Sequence, residues 1–123
     1  MKHTDILIVD DEQRYADMLA NRLSLRGLTC KVRYDGTTAI DLVDRESFSM
    51  IILDLRLPDL YGTEVLVEIK KRRPETVVII LTGHGTEEDR VQCMDSGAYA
   101  FMNKPLDINQ LVTIMSRIKE ISA

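Results

Sequence analysis

Five short apolar runs punctuate this chain: "ILIV" at 6–9, "TCKV" at 29–32, "MIIL" at 50–53, "VVIIL" at 77–81 and "AFM" at 100–102. Each is too short for a buried helix and reads as a strand. Between them apolar residues recur at helical spacing: Tyr15, Met18, Leu19 and Leu23; Ala39, Ile40 and Val43; Val65, Leu66 and Ile69; and Ile108, Leu111, Val112, Met115 and Ile118. A further, weaker helix spans 86–97, with Val91 and Met94 as its apolar anchors and three acids in its first turn, where the helix dipole favours them. Punctuation agrees: Gly27 suits a helix C-terminus, Arg73-Pro74 ends a helix, and Asp107 can cap the last one. Strict alternation of apolar strands and helices predicts an α/β fold. It is a parallel sheet covered on both faces and doubly wound by right-handed crossovers.

The 123 residues, 45% of them hydrophobic, match one domain with a core of ordinary density, and no linker or internal repeat divides them. Sixteen basic against twenty acidic residues leave a net charge of −4, which argues against direct nucleic-acid or anionic-membrane binding. "KKRR" at 70–73 is read as cations complementing a helix C-terminus. No signal-peptide h-region or bilayer-length apolar stretch is present, so a cytoplasmic location is expected. Cys30 and Cys93 form no CxxC or Cys/His cluster and read as small hydrophobes, the methionines as core filler, and His3 as a solvated terminal residue.

In an open α/β sheet the ligand crevice lies outside the carboxyl ends of the strands, near the point where strand order reverses. Here the first strand runs into Asp10 and Asp11, the third into Asp54, the fourth into Thr82 and the fifth into Lys104. If the first and third strands are neighbours, three carboxylates converge on one crevice. Like charges packed together raise one another's pKa, and a bound cation relieves the conflict. Oxygen ligands without His or Cys select a hard divalent ion; Mg²⁺ takes few carboxylates and leaves room for phosphate oxygens. A carboxylate can itself attack phosphorus, which makes Asp54 the best-placed nucleophile. Lys104 can pair with one phosphoryl oxygen, and the Thr82 hydroxyl can donate to another. The competing reading of Asp10 and Asp11, helix capping by acids, needs no metal but leaves Asp54, Thr82 and Lys104 unexplained.

"VDD" with Asp10 and Asp11, "LDLRLPD" at 53–59, "LTGHG" at 81–85 and "NKP" at 103–105, in this order, resemble a bacterial response regulator receiver domain across essentially the whole chain. The resemblance implies a flavodoxin-like sheet of order 2-1-3-4-5 with five helices. It also implies Mg²⁺ held by Asp10, Asp11, Asp54 and the backbone carbonyl of Arg56. Asp54 would accept a phosphoryl group from a sensor histidine kinase or a His-phosphotransfer domain, and a cis peptide is expected at Lys104-Pro105. The implied switch draws Thr82 toward the phosphate while the aromatic three residues before the lysine, Phe101, turns inward. Phe101 lacks a hydroxyl to hold an outward state, which leaves a dry, inward ring in both states open. Arg56 and His84, flanking the site, are expected to shield the acyl phosphate from water and lengthen its life.

The expectation is a single receiver domain over 1–123, a stand-alone regulator or part of a longer chain, that catalyses only its own phosphorylation and dephosphorylation. Its downstream effector is open, and a homodimer through the last two helices is implied by resemblance alone. Two other classes compete. A Mg²⁺-dependent phosphatase or phosphotransferase shares the Asp, metal and Lys chemistry, but the chain offers no obvious general acid or base and no substrate-covering cap. An interaction module with a silent acidic site need not retain Asp10, Asp11, Asp54, Thr82 and Lys104 together. Nucleotide-binding folds are disfavoured because no GxxxxGK[ST] loop is present and the first strand-to-helix turn is acidic.

Overall fold

The computed structural model describes residues 2–122; the first and last residues of the expected domain lie outside it. Strands β1 (Lys2–Val9), β2 (Cys30–Arg33), β3 (Glu46–Leu53), β4 (Val77–Thr82) and β5 (Ala100–Asn103) alternate with helices α1 (Gln13–Ser24), α2 (Gly36–Arg45), α3 (Gly62–Arg72), α4 (Glu87–Asp95) and α5 (Ile108–Ser122). The strands form one parallel sheet of order β2-β1-β3-β4-β5. Pairing is in register along the apolar runs, with Ile6 opposite both Cys30 and Met50, and Ile79 opposite both Ile52 and Ala100. After β2 the chain crosses back over β1 to lay down β3, so strand order reverses between β1 and β3 and a crevice opens at their carboxyl ends.

Side chains of successive strand residues point to opposite faces, and this period of two divides the core. On one face Leu7, Val9, Ile51, Leu53, Val78 and Ile80 pack with Ala39, Leu42 and Val43 of α2, Val65, Leu66 and Ile69 of α3, and Cys93 of α4. On the other, Ile6, Ile8, Met50, Ile52, Ile79 and Leu81 meet Leu19 and Leu23 of α1 and Leu111, Ile114 and Met115 of α5. Burying each such aliphatic side chain is worth about 1.5–3 kcal/mol, and it is this double layer that makes the central strand ends a rigid platform. Among the described residues no helix is long and apolar enough to cross a membrane.

Several local expectations need correction. In α4 the anchor is Cys93, fully buried, whereas Val91 is 45% and Met94 37% exposed. Val91 lies two residues from Cys93, about 200° around a helix, so a helix that docks Cys93 turns Val91 outward. In α1 the stripe runs through Ala16, Leu19 and Leu23, leaving Met18 at the margin. Of the methionines, Met50 and Met115 fill the core as expected, while Met18 and Met94 do not.

Strands β1 and β3 start earlier than their apolar runs, because polar residues pair there: Lys2 with Glu46, His3 with Ser47 and Thr4 with Phe48. His3 is exposed but bound, its Nδ1 2.6 Å from the Ser47 hydroxyl and its Nε2 3.1 Å from that of Ser49. The basic run at the end of α3 is engaged within the fold. Lys70 donates to the carbonyls of Pro74 and Thr76, Arg72 pairs with Asp44 and Glu68, and Arg73 donates to the carbonyl of Val43. Gly27, at φ +83°, turns the chain out of α1, and the Asp107 carboxylate accepts from the amides of Asn109 and Gln110 at the start of α5.

Candidate functional site

The carboxyl ends of β1, β3 and β5 deliver Asp10, Asp54 and Lys104 to one point. Backbone pairing continues one residue past each central strand: the Asp10 amide donates to the Arg33 carbonyl at 3.1 Å and the Asp54 amide to the Val9 carbonyl at 3.0 Å. The Lys104 amide donates to the Thr82 carbonyl at 2.9 Å, and the Lys104-Pro105 peptide is cis, as the resemblance implies. The Lys104 ammonium lies 2.8 Å from Asp10 Oδ2, 3.2 Å from Asp54 Oδ2 and 2.5 Å from Glu12 Oε1. It also sits over the Tyr15 ring, 4.9 Å from the centroid, and the Tyr15 hydroxyl accepts from the amide of Leu106 in the following segment.

Asp10 and Asp54 are buried, Asp11 and Glu12 exposed. Burial drives the Asp10 carboxyl up to about 6, against hydrogen bonds from Lys104 and the Glu12 amide, and the neighbouring Asp54 charge pushes the same way as burial. Burial alone would depress the Lys104 ammonium, but its bonds to Asp10 and Glu12 and the charges of Asp10 and Asp54 prevail and raise it. One cation thus holds three carboxylates. Oxygens of Asp10, Glu12 and Asp54 all lie within 4.8 Å of one another, an all-oxygen set suited to a hard divalent cation.

Glu12, which the sequence reading did not single out as a ligand, completes that set, and the expected Asp11 lies beside it on the same turn. Residue 11 follows the strand end and points to solvent, while the Glu12 amide folds back onto Asp10 Oδ1 at 2.9 Å. The signal was present in the unbroken acidic triplet 10–12, but strand alternation gives no rule for which acid of a turn will reach Lys104.

Thr82, 2% exposed, ends β4 with its hydroxyl 3.4 Å from the His84 amide. His84 and Arg56 are both exposed. Arg56 bridges through its backbone to Tyr61, whose hydroxyl binds Asp89 at the start of α4. Phe101 is half-buried and faces Gly85, where a Cβ would come within 2.4 Å of its ring and 2.8 Å of the Thr82 methyl. The absence of a side chain at 85 is what admits an inward ring.

The loop after Asp54 is fastened at several points. Leu55 is fully buried, and the Gly62 amide donates to its carbonyl at 2.6 Å. A Cβ at Gly62 would lie 2.6 Å from the Asp54 carbonyl oxygen, so only glycine lets α3 start this close to the site. Arg56 and Tyr61 form an antiparallel bridge that closes the loop, and the Asp59 carboxylate accepts from the amides of Gly36 and Thr37, both at 2.9 Å, and from the Thr37 hydroxyl.

Comparison with known proteins gives this architecture its family. The sequence profile of the response regulator receiver domain matches residues 6–116. An NtrX-like response regulator of Rickettsia conorii is 36% identical over 124 residues, an alignment covering 99% of this chain and 26% of the relative, so the chain spans about a quarter of that protein. The crystal structure of the receiver domain of NtrX from Brucella abortus is similar at a TM-score of 0.84 and 35% identity, covering 94% of this chain and 98% of that one. A CheY-like receiver domain protein from Methanospirillum hungatei JF-1 superposes at a TM-score of 0.88 with 30% identity, covering 98% and 95%. With five strands in the order 2-1-3-4-5 and acids at the strand switch, the chain belongs to the response regulator receiver domain family.

Proposed function

We propose that this receiver domain is a phosphorylation-driven switch whose phosphoacceptor is Asp54. The observation that carries the reading is the meeting of buried Asp54 with Asp10 and the Lys104 ammonium at the strand switch. In the transfer, an Asp54 carboxylate oxygen forms a bond to phosphorus as the donor's phosphorus–nitrogen bond breaks, leaving the histidine of a sensor kinase or His-phosphotransfer domain free. Lys104, already at the carboxylates, exchanges part of its contact with them for a phosphoryl oxygen. Thr82 donates its hydroxyl to another phosphoryl oxygen, and Phe101, resting on Gly85, occupies the space behind it. The chain's catalysis is confined to its own phosphorylation and dephosphorylation.

Asp10 and Asp54 would hold Mg²⁺, with Glu12 from the same cluster and with Asp11 and the Arg56 carbonyl by resemblance. When bound, the ion supplies positive charge to the phosphoryl oxygens. The oxygen-only donor set, with Asp10 and Asp54 buried and Glu12 at its exposed rim, and the disfavoured ionised form of Asp10 support this fit. A cytoplasmic kinase partner, an effector elsewhere in a longer protein or on another chain, and dimerisation through α4 and α5 complete the proposal; the net charge of −4 argues against direct nucleic-acid contact.

Intact mass after incubation with acetyl phosphate tests the reading. Wild type should gain one phosphoryl group only with Mg²⁺, and Asp54→Asn none. Absence of any adduct favours a silent interaction module, and donor turnover without an adduct favours a phosphatase. Arg56 and His84 set the lifetime of that adduct by hindering in-line water, so replacing both with Ala should speed its loss. Decay measured by mass at intervals after donor removal checks this, and an unchanged or slower rate rejects it.

A further inference from the structure

Asp89 is shared between two structures. As the third residue of α4 its carboxylate accepts from the Thr86 amide at 3.1 Å, and its own amide donates to the Thr86 hydroxyl at 3.1 Å, a reciprocal capping box. Its other oxygen, Oδ1, accepts from the Tyr61 hydroxyl at 3.0 Å. Tyr61 in turn belongs to the site loop: its backbone bridges to Arg56, and its neighbour Gly62 rests on the Asp54–Leu55 backbone. A chain of direct contacts therefore runs from the backbone of Asp54 to the cap of α4. The covalent route from β4 to α4 passes instead through Gly83 and Gly85, the most compliant residue type. Burial and the bond to Asp89 raise the pKa of the Tyr61 hydroxyl, the Thr86 amide and the Tyr61 bond lower that of the Asp89 carboxyl, and the Arg56 charge lowers both.

We infer that the Tyr61 hydroxyl is a positioning contact that couples the loop after Asp54 to the first turn of α4, so that occupancy of the site is felt at that turn. The inference rests on Asp54 as phosphoacceptor and adds a route that does not depend on Thr82 or Phe101. α4 is a suitable receiver of the signal. Its one fully buried residue is Cys93, so its first turn is held by the capping box and by Tyr61 more than by the core. A displacement of the loop that moves Tyr61 must either carry Asp89 with it or break the bond. By linkage, whatever alters the cap alters the site in return.

The test is amide exchange at Asp89, Arg90 and Val91 with and without Mg²⁺ and beryllofluoride, a phosphoryl mimic, in wild type, Tyr61→Phe and Tyr99→Phe. Tyr61→Phe keeps the ring and deletes only the bond. A merely structural role would shift exchange equally in both states, whereas coupling appears in the ratio between them. Tyr61→Phe should bring that ratio toward one, by up to about tenfold for a single hydrogen bond, with Tyr99→Phe matching wild type. An equal ratio in wild type and Tyr61→Phe overturns the coupling. Acetyl phosphate labelling of the same proteins separates the two claims. An Asp54 adduct with an unchanged ratio removes only the coupling, and no adduct in wild type removes the phosphoacceptor reading beneath it.

Discussion

Asp59 gathers three donors with one carboxylate, the amides of Gly36 and Thr37 and the Thr37 hydroxyl, and so fixes the site loop to the first turn of α2. The Thr37 hydroxyl bond contributes most to holding its pKa down at about 2; partial desolvation works against it, and the two amides add to it. An unfolded chain binds that proton at about pH 4, so the stability from this contact is complete above about pH 4 and is lost as pH falls through 2. Asp59→Asn should therefore unfold at lower denaturant than wild type at pH 7, with the gap narrowing toward pH 2. A gap independent of pH would mean that the loop is held by shape and not by this charge. Residue-level reading of the sequence succeeded where an acid ends a strand, as at Asp10 and Asp54, because strand direction alone aims those side chains at the crevice. It did not foresee that Glu12 would join them at Lys104, since that placement depends on the turn that folds the Glu12 amide back onto Asp10 Oδ1. Asp59 and Tyr61 were equally illegible as partners because their contacts, with the start of α2 and with Asp89, join segments distant in sequence.

At the level of elements, spacing located every helix and strand, and it misjudged a face where apolar size was taken as the guide to the anchor. Val91 and Met94 are larger hydrophobes than Cys93, yet Cys93 joins the buried cluster with Ala98, and Val91, about 200° away around the helix, faces out. Three acids in the first turn favour the N-terminus through the dipole, and the Thr86–Asp89 box satisfies two of the amides that begin α4. A helix held by its cap more than by its core should open by itself. Thr86→Ala removes one side of the box, at about 1 kcal/mol. Native-state amide exchange should show α4 opening more readily by that amount while the amides of α3, anchored by Val65, Leu66 and Ile69, keep their protection. Parallel loss in both helices would make α4 part of the global unit instead.

Over the whole molecule, two apolar layers clamp a sheet whose central strand ends carry buried like charges, so the fold holds electrostatic tension at the one place where strand order reverses. Lys104 answers part of it, yet the Asp10 carboxyl is still driven up to about 6 by burial and by Asp54, so its ionised form destabilises the folded state at neutral pH. A divalent cation that binds these carboxylates only when they are gathered must stabilise the fold by linkage, about 2.7 kcal/mol at a hundred times its Kd. For a chain of 123 residues this corresponds to a rise in Tm of roughly 10 °C. Thermal unfolding followed across a Mg²⁺ titration at constant ionic strength separates site binding from screening of the net charge of −4. Wild type should show the saturable rise and Asp10→Asn little of it, since Asn leaves the cluster one charge short. An equal rise in both proteins would place the ion elsewhere and detach the tension at the strand switch from metal binding.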